Sequence, residues 1–131
     1  MVISDRAGLP IAARIASGPR HESQLVEETI ASRFTKALPK KLIGDKAFDS
    51  DPLDERLAQQ GVELIAPQQP RHTTKSQDGR PLRRYRRRWH IERLIAWLLR
   101  HRRVHTRYEY KAGNFLGFIY LACIKILARD L

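Results

Sequence analysis

Two acidic side chains set in a basic background are the first candidates for chemistry. Asp45 ends the strand-like run Lys41-Leu-Ile-Gly-Asp45-Lys, and Glu92 lies forty-seven residues later in Tyr85-Arg-Arg-Arg88-Trp-His-Ile-Glu92. Carboxylate oxygens are hard ligands suited to a divalent metal ion, and the surrounding Lys and Arg would set such an ion against a phosphate backbone. At about 100° per residue, Tyr85, Arg88 and Glu92 share one helix face, as does Leu99 two turns on. The same spacing has a plainer reading, in which Arg88 and Glu92 pair as i and i+4 on a solvated face. Residue types alone leave both readings open.

Charge points to the partner. The 131 residues carry a formal net charge of +11, and the excess is confined to one half. Residues 1–70 hold 9 Lys+Arg against 10 Asp+Glu, and residues 71–131 hold 16 against 4. Arg dominates the basic half, and its planar fork suits bidentate phosphate contacts. A nucleic acid is the expected partner, with a membrane surface or a basic tail as the competing explanation. The single cysteine, Cys123, excludes an internal disulfide framework and reads as a small core hydrophobe. Met1-Val-Ile-Ser-Asp5 has neither a basic lead nor a long apolar region, and the apolar stretch 115–128 is too short to span a bilayer. A cytoplasmic location is therefore expected.

The elements that must position these residues follow from periodicity. Val2-Ile3, a turn at Asp5-Arg-Ala-Gly8 and the run 9–15 predict a β-hairpin. Helical rhythm covers 22–34, with Leu25, Thr29, Ile30 and Phe34 on one side. A buried strand at 41–44 delivers Asp45. Asp51 followed by Pro52 predicts a helix start, and Gly61 its end near Gln60. A further strand occupies 62–66. Residues 67–82 read as a mobile basic loop, 83–101 as a long helix, and 114–129 as a final helix after a basic connector. His21 and His90 fit a loop and a helix flank better than a ligand set. Trp89 and Trp97 fit a packed helix side better than a base-stacking platform. Asp49 fits a local cap. The pattern is α/β and one domain; by itself it selects no reaction.

Five segments, taken in order, resemble the insertion-sequence transposases of the DDE superfamily. They are Gly8-Leu-Pro-Ile, Ser17-Gly-Pro-Arg-His21-Glu-Ser23, Gly44-Asp45-Lys-Ala-Phe-Asp49-Ser50-Asp51, Tyr85-Arg-Arg-Arg88-Trp-His-Ile-Glu92-Arg93, and His105-Thr-Arg107-Tyr108-Glu-Tyr-Lys-Ala-Gly-Asn114-Phe-Leu. The family's helical signature is Tyr, two residues, Arg, three residues, Glu, six residues, Lys. Tyr85, Arg88 and Glu92 match it, while Leu99 stands in the Lys position with Arg100 beside it.

The resemblance implies a partial RNase H-like α/β fold, a mixed sheet with flanking helices that ends in two helices. It implies Asp45 and Glu92 as catalytic, metal-binding carboxylates for Mg²⁺ or Mn²⁺, with Tyr85, Arg84, Arg87, Arg88, Arg93 and Arg100 facing DNA. The implied reaction is metal-dependent strand cleavage and transfer in transposition. The family's first catalytic Asp and its central strand have no counterpart here, since Asp5 reads as turn chemistry. Residues 1–131 therefore resemble the C-terminal portion of the catalytic domain, expected to be inactive alone. The implied partners are element ends and target DNA, an upstream fragment supplying the first Asp, and a second copy of the chain. A non-catalytic DNA-binding remnant or regulator of transposition is the alternative from a different class.

Overall fold

Alternation within the opening hairpin organises the molecule. In the computed structural model, which describes residues 1–67 and 88–129, β1 (Val2–Ser4) pairs antiparallel with β2 (Pro10–Ala13). The register sets Val2 opposite Ala13 and Ile3 opposite Ala12. Successive side chains of a strand point to opposite faces, so these two pairs serve two separate cores. Ile3 and Ala12 join Val26, Ile30, Leu53, Leu57 and Val62. Val2 and Ala13 face Leu94, Leu98, Ile119, Ala122, Cys123 and Ile126.

The hairpin ends at Ala13, two residues short of the expected Ile15. Its turn is built as the acidic residue predicts. Asp5 Oδ1 accepts from the backbone N–H groups of Ala7 and Leu9, each at 2.8 Å. Gly8 adopts φ +86°, where a side chain would be strained.

Helix α1 (Glu22–Ala31) is capped by His21, whose ring nitrogen Nδ1 accepts from the Ser23 N–H. His21 lies in the loop expected of it, as the residue that caps the helix. The helix also stops before Phe34, because the backbone finds better partners. The Ser32 hydroxyl donates to the Thr29 carbonyl at 2.8 Å, and the Phe34 N–H donates to the Ile11 carbonyl at 2.7 Å. Phe34 is thereby drawn to the edge of β2, with its ring edge-on to Tyr120.

A parallel βαβ unit follows. β3 (Lys41–Ile43) and β4 (Glu63–Ile65) pair in register, joined by a short 3-10 turn (Lys46–Phe48) and α2 (Asp51–Gln59). Ser50 rather than Asp51 occupies the cap position of α2, with Pro52 in the first turn. Gly61, at φ +74°, ends the unit's helix as expected. β3 was expected to be buried, yet Lys41 and Ile43 are exposed, and among the described residues the strand is paired on one side only. The described strands form two separate two-stranded sheets instead of one mixed sheet.

Helix α3 (Trp89–Leu99) covers the second core, with Leu94 fully buried. Residues 68–82 of the expected loop and 83–87 of the expected helix fall outside the described residues. The basic connector contains a four-residue helix, α4 (Arg102–His105), too short and too charged to leave a periodic signal. Helix α5 (Ala112–Ala128) closes the second core through Ile119, Cys123 and Ile126. Cys123 is buried as expected, and desolvation pushes its thiol up to about 11.

Two outcomes test this packing. Leu94→Ala should cost about 2–5 kcal/mol in urea unfolding, whereas Leu121→Ala, at a position 61% exposed, should fall within about 0.5 kcal/mol of wild type. The hairpin-to-α1 clamp should be pH-dependent. Glu28 accepts from Arg20 (2.5 Å) and pairs with Arg14 (2.9 Å), and the Arg20 hydrogen bond chiefly holds its carboxyl below the usual range. A lowered folded-state value means stability present above the ordinary Glu range and lost as acid carries the pH through that lower value. The urea midpoint of Glu28→Gln should lie below wild type at neutral pH and converge with it in acid.

Candidate active-site cleft

A cleft of about 1030 Å³ runs between the two sheets. Its sides are β1 and β3, one wall is α1 through Leu25 and Val26, and the other is α3 through Ile91 and Ile95. Both sequence-predicted carboxylates line it. Asp45 arrives because β3 ends at Ile43 and the chain turns at once into the 3-10 helix. There Asp45 is the cap residue, and its Oδ1 accepts from the Ala47 N–H at 2.9 Å. That bond occupies one oxygen and orients the second. Gly44 permits the turn, since a Cβ there would stand 2.8 Å from the Phe48 ring.

Glu92 comes from the opposite layer. It sits in the first turn of α3, its side chain 61% exposed, with Oε1 taking hydrogen bonds from Arg88 at 3.2 and 3.3 Å. The i,i+4 ion pair anticipated as the plainer reading is thus present, and Glu92 still lines the cleft beside it. Such a pair on a solvated face is worth only about 0.3–0.5 kcal/mol, little to set against a competing cation.

The roll of α3 is set by its neighbour. Arg93, expected to face DNA, contacts the hairpin. Its guanidinium donates to the Ala7 carbonyl at 2.5 Å and lies between the rings of Trp89 (4.7 Å) and Trp97 (4.8 Å). Trp97 packs on the second core as anticipated, whereas Trp89 is half exposed and stacks on His90. His90 also lines the cleft, 3.4 Å from Arg93 through Nδ1. Arg100 caps the far end of α3 and is exposed. Tyr85, Arg84 and Arg87 lie outside the described residues. Asp5 reaches the cleft rim with Oδ1 committed to its turn. Asp49 closes the 3-10 turn.

The donor set is oxygen alone, and Mg²⁺ is commonly held by one or two carboxylates with water and substrate phosphate completing the shell. Asp45 and Glu92 fit that pattern. Among the described residues no group of three or more His, Cys, Asp or Glu comes together. Sequence reasoning missed the cleft's apolar part. Ile91 and Ile95, four apart and flanking Glu92, were its signal.

The clasp between α3 and the hairpin is testable. A Cβ on Gly8 would stand 2.7 Å from Arg93 Nη2, at a φ that side chains rarely adopt. Gly8→Ala should therefore cost about 1–3 kcal/mol in urea unfolding, and Arg93→Ala in the same background should recover part of that loss.

With the geometry in view, comparisons with known proteins agree. The model of the family described as Transposase DDE domain matches residues 1–127. A putative transposase for insertion sequence element IS402 from Burkholderia cepacia is 28% identical over 134 residues, which cover 95% of this chain and 60% of that relative. The chain thus spans under two thirds of the curated relative it matches. No solved structure matches. No helix among the described residues is long and apolar enough to cross a membrane. The match over nearly the whole chain, on a fold that brings Asp45 and Glu92 to one cleft, means that the chain belongs to the DDE family of insertion-sequence transposases.

Proposed function

We propose that residues 1–131 are the C-terminal portion of a transposase catalytic domain with a partial RNase H-like fold, in which Asp45 and Glu92 share a divalent cation beside DNA phosphate. One observation carries the reading: two carboxylates forty-seven residues apart, delivered from a strand end and a helix, line the same cleft. The family uses divalent metal ions, and Mg²⁺ or Mn²⁺, when bound, neutralises phosphate charge and activates water or a DNA 3′-hydroxyl for attack. The chain's own part is positional. Asp45 is held by the Ala47 N–H, Glu92 would hold the ion from the first turn of α3, and the Arg88 guanidinium beside it would face a phosphate oxygen. Arg100 contacts DNA phosphate in this reading, and the family resemblance assigns DNA contact to Tyr85, Arg84 and Arg87, which lie outside the described residues.

A further carboxylate, from an upstream transposase fragment, completes the ion site in this reading. The 131-residue chain alone should then show little or no Mg²⁺-dependent nicking of duplex DNA. The Arg88–Glu92 ion pair favours a second reading, a non-catalytic DNA-binding module that regulates transposition.

Mn²⁺ titration followed by NMR line broadening separates the two. The ion should broaden signals around Asp45 and Glu92 together, and Asp45→Asn or Glu92→Gln should each weaken binding about tenfold or more, a loss of at least about 1.4 kcal/mol. Wild-type Mn²⁺ affinity in both variants would remove the catalytic reading and leave the second. DNA contact has its own signature. Affinity should fall steeply with salt, and Arg100→Ala should weaken binding uniformly across sequences while reducing the salt slope by about 1.

A further inference from the structure

The last helix is more apolar than its own core requires. Lys125 is the only charged residue among the seventeen of α5. The second core takes Ile119, Ala122, Cys123 and Ile126 from it. At about 100° per residue, Gly117, Leu121, Ile124 and Ala128 share a different face, where Leu121 and Ile124 are 61% and 60% exposed. A helix without a polar side is ordinarily covered on that side too. Along this face α4 and α5 form a groove of about 250 Å³. Its lining joins the apolar side chains of Val104, Phe118 and Leu121 to the basic ones of His101, Arg102 and Lys125.

We propose that this groove docks an amphipathic helix of another polypeptide, with a leucine-type stripe laid against α5 and acidic residues on its flanks. Shape gives the first argument. The groove lies below the roughly 300–1,000 Å³ of small-molecule pockets, and a concave strip between helices takes the ridge of side chains that a further helix presents. Charge gives the second. Residues 101–129 hold six Lys+Arg against one acid, Glu109, and that acid is already paired with Arg103 at 3.0 Å. Among the described residues no carboxylate pairs with Arg102 or Lys125, so a partner's Asp or Glu would complement both cations. DNA phosphate would match the cations too, but it would leave the apolar lining bare. The third argument concerns a second copy of this chain. A two-fold dimer through the face would bring two Lys125 cations into one interface with no acid between them. The acidic helices of another copy do not fit either, because α1 buries Val26 and Ile30, and α2 buries Leu53 and Leu57, in the first core.

Neither the metal nor the DNA reading enters this inference, so the test runs in EDTA without nucleic acid. The ¹⁵N-labelled full chain is titrated with a blocked peptide of about 15 residues, long enough to form a helix, carrying leucines at i, i+3, i+4 and i+7 between glutamates. Amide signals should shift at Val104, Phe118, Leu121 and Lys125, and Leu121→Asp should weaken binding about tenfold or more. Lys125→Glu should reject this peptide and accept its counterpart with lysine in place of every glutamate. Both substitutions fall at exposed positions, and unchanged dispersion of the remaining NMR signals checks that each variant is folded.

No shift at saturating peptide would overturn the proposal. Equal binding of a peptide with the same composition and scrambled leucines would too, since charge alone would then suffice. Binding that Lys125→Glu leaves unaltered counts against the acidic flanks. Shifts at the four amides with short duplex DNA or phosphatidylserine vesicles, and none with the peptide, would give the groove to phosphate instead. A wild-type dimer in sedimentation that Leu121→Asp turns into a monomer would assign the face to a second copy.

Discussion

The β1–β2 hairpin is sandwiched between two apolar clusters, and its two-residue period decides which side chain each cluster receives. Ile3 and Ala12 go to the cluster built on α1, α2 and β4; Val2 and Ala13 go to the cluster built on α3 and α5. A slip of one residue would exchange the two sets and leave both cores mismatched. In a chain this small neither core can be lost, because little apolar area is held in reserve. The small side chains of Ala12 and Ala13 let helices on both faces approach β2 closely. Larger residues there would push the layers apart and change the width of everything between them.

From that sheet the site follows by a short chain of contacts. Gly8, at a positive φ, turns the hairpin so that the Ala7 carbonyl meets the Arg93 guanidinium, and the two tryptophans hold the guanidinium flat. This contact fixes the roll of α3 about its axis. Glu92, one residue earlier and about 100° round, is thereby presented to the cleft. On the other side the shortness of β3 brings Asp45 to the cleft, and the 3-10 turn pins one of its oxygens. Both acids stay at least partly accessible to water. A bare carboxylate fully buried in the apolar slot would pay several kcal/mol of desolvation.

Electrostatics and packing are segregated. The slot's floor and walls are apolar, while its rim carries Asp45, Glu92 and Arg88. The large positive excess lies in the second half of the sequence, mostly in the connector and in residues outside those described. In the connector Arg102, Arg103 and Arg107 stack on Tyr108, Phe118 and Phe115, so part of the basic charge is spent on holding α4 to α5.

Much of the local structure could be read from residue order. The hairpin with its Asp5 turn, the strand leading to Asp45, the Gly61 stop and the amphipathic helices are consequences of short-range chemistry, and they appear where periodicity and turn residues put them. The ends of elements were less legible. α1 stops early because Ser32 bonds back to the Thr29 carbonyl and to Ala13 of β2 while Phe34 bonds to Ile11 of β2, and His21 becomes a cap because Ser23 lies within reach. α4 left no trace, since four charged residues cannot show a period. The site was half legible: residue types marked Asp45, Glu92 and Arg88, but nothing in their order says that two layers close on one slot. Sequence by itself determined which residues carry charge, which turn the chain and which are apolar, because those are properties of single side chains and their near neighbours. Tertiary structure alone decided that Arg93 turns to the hairpin, that among the described residues β3 pairs on one side only and that the two acids line one cleft, because each of those depends on how distant segments pack.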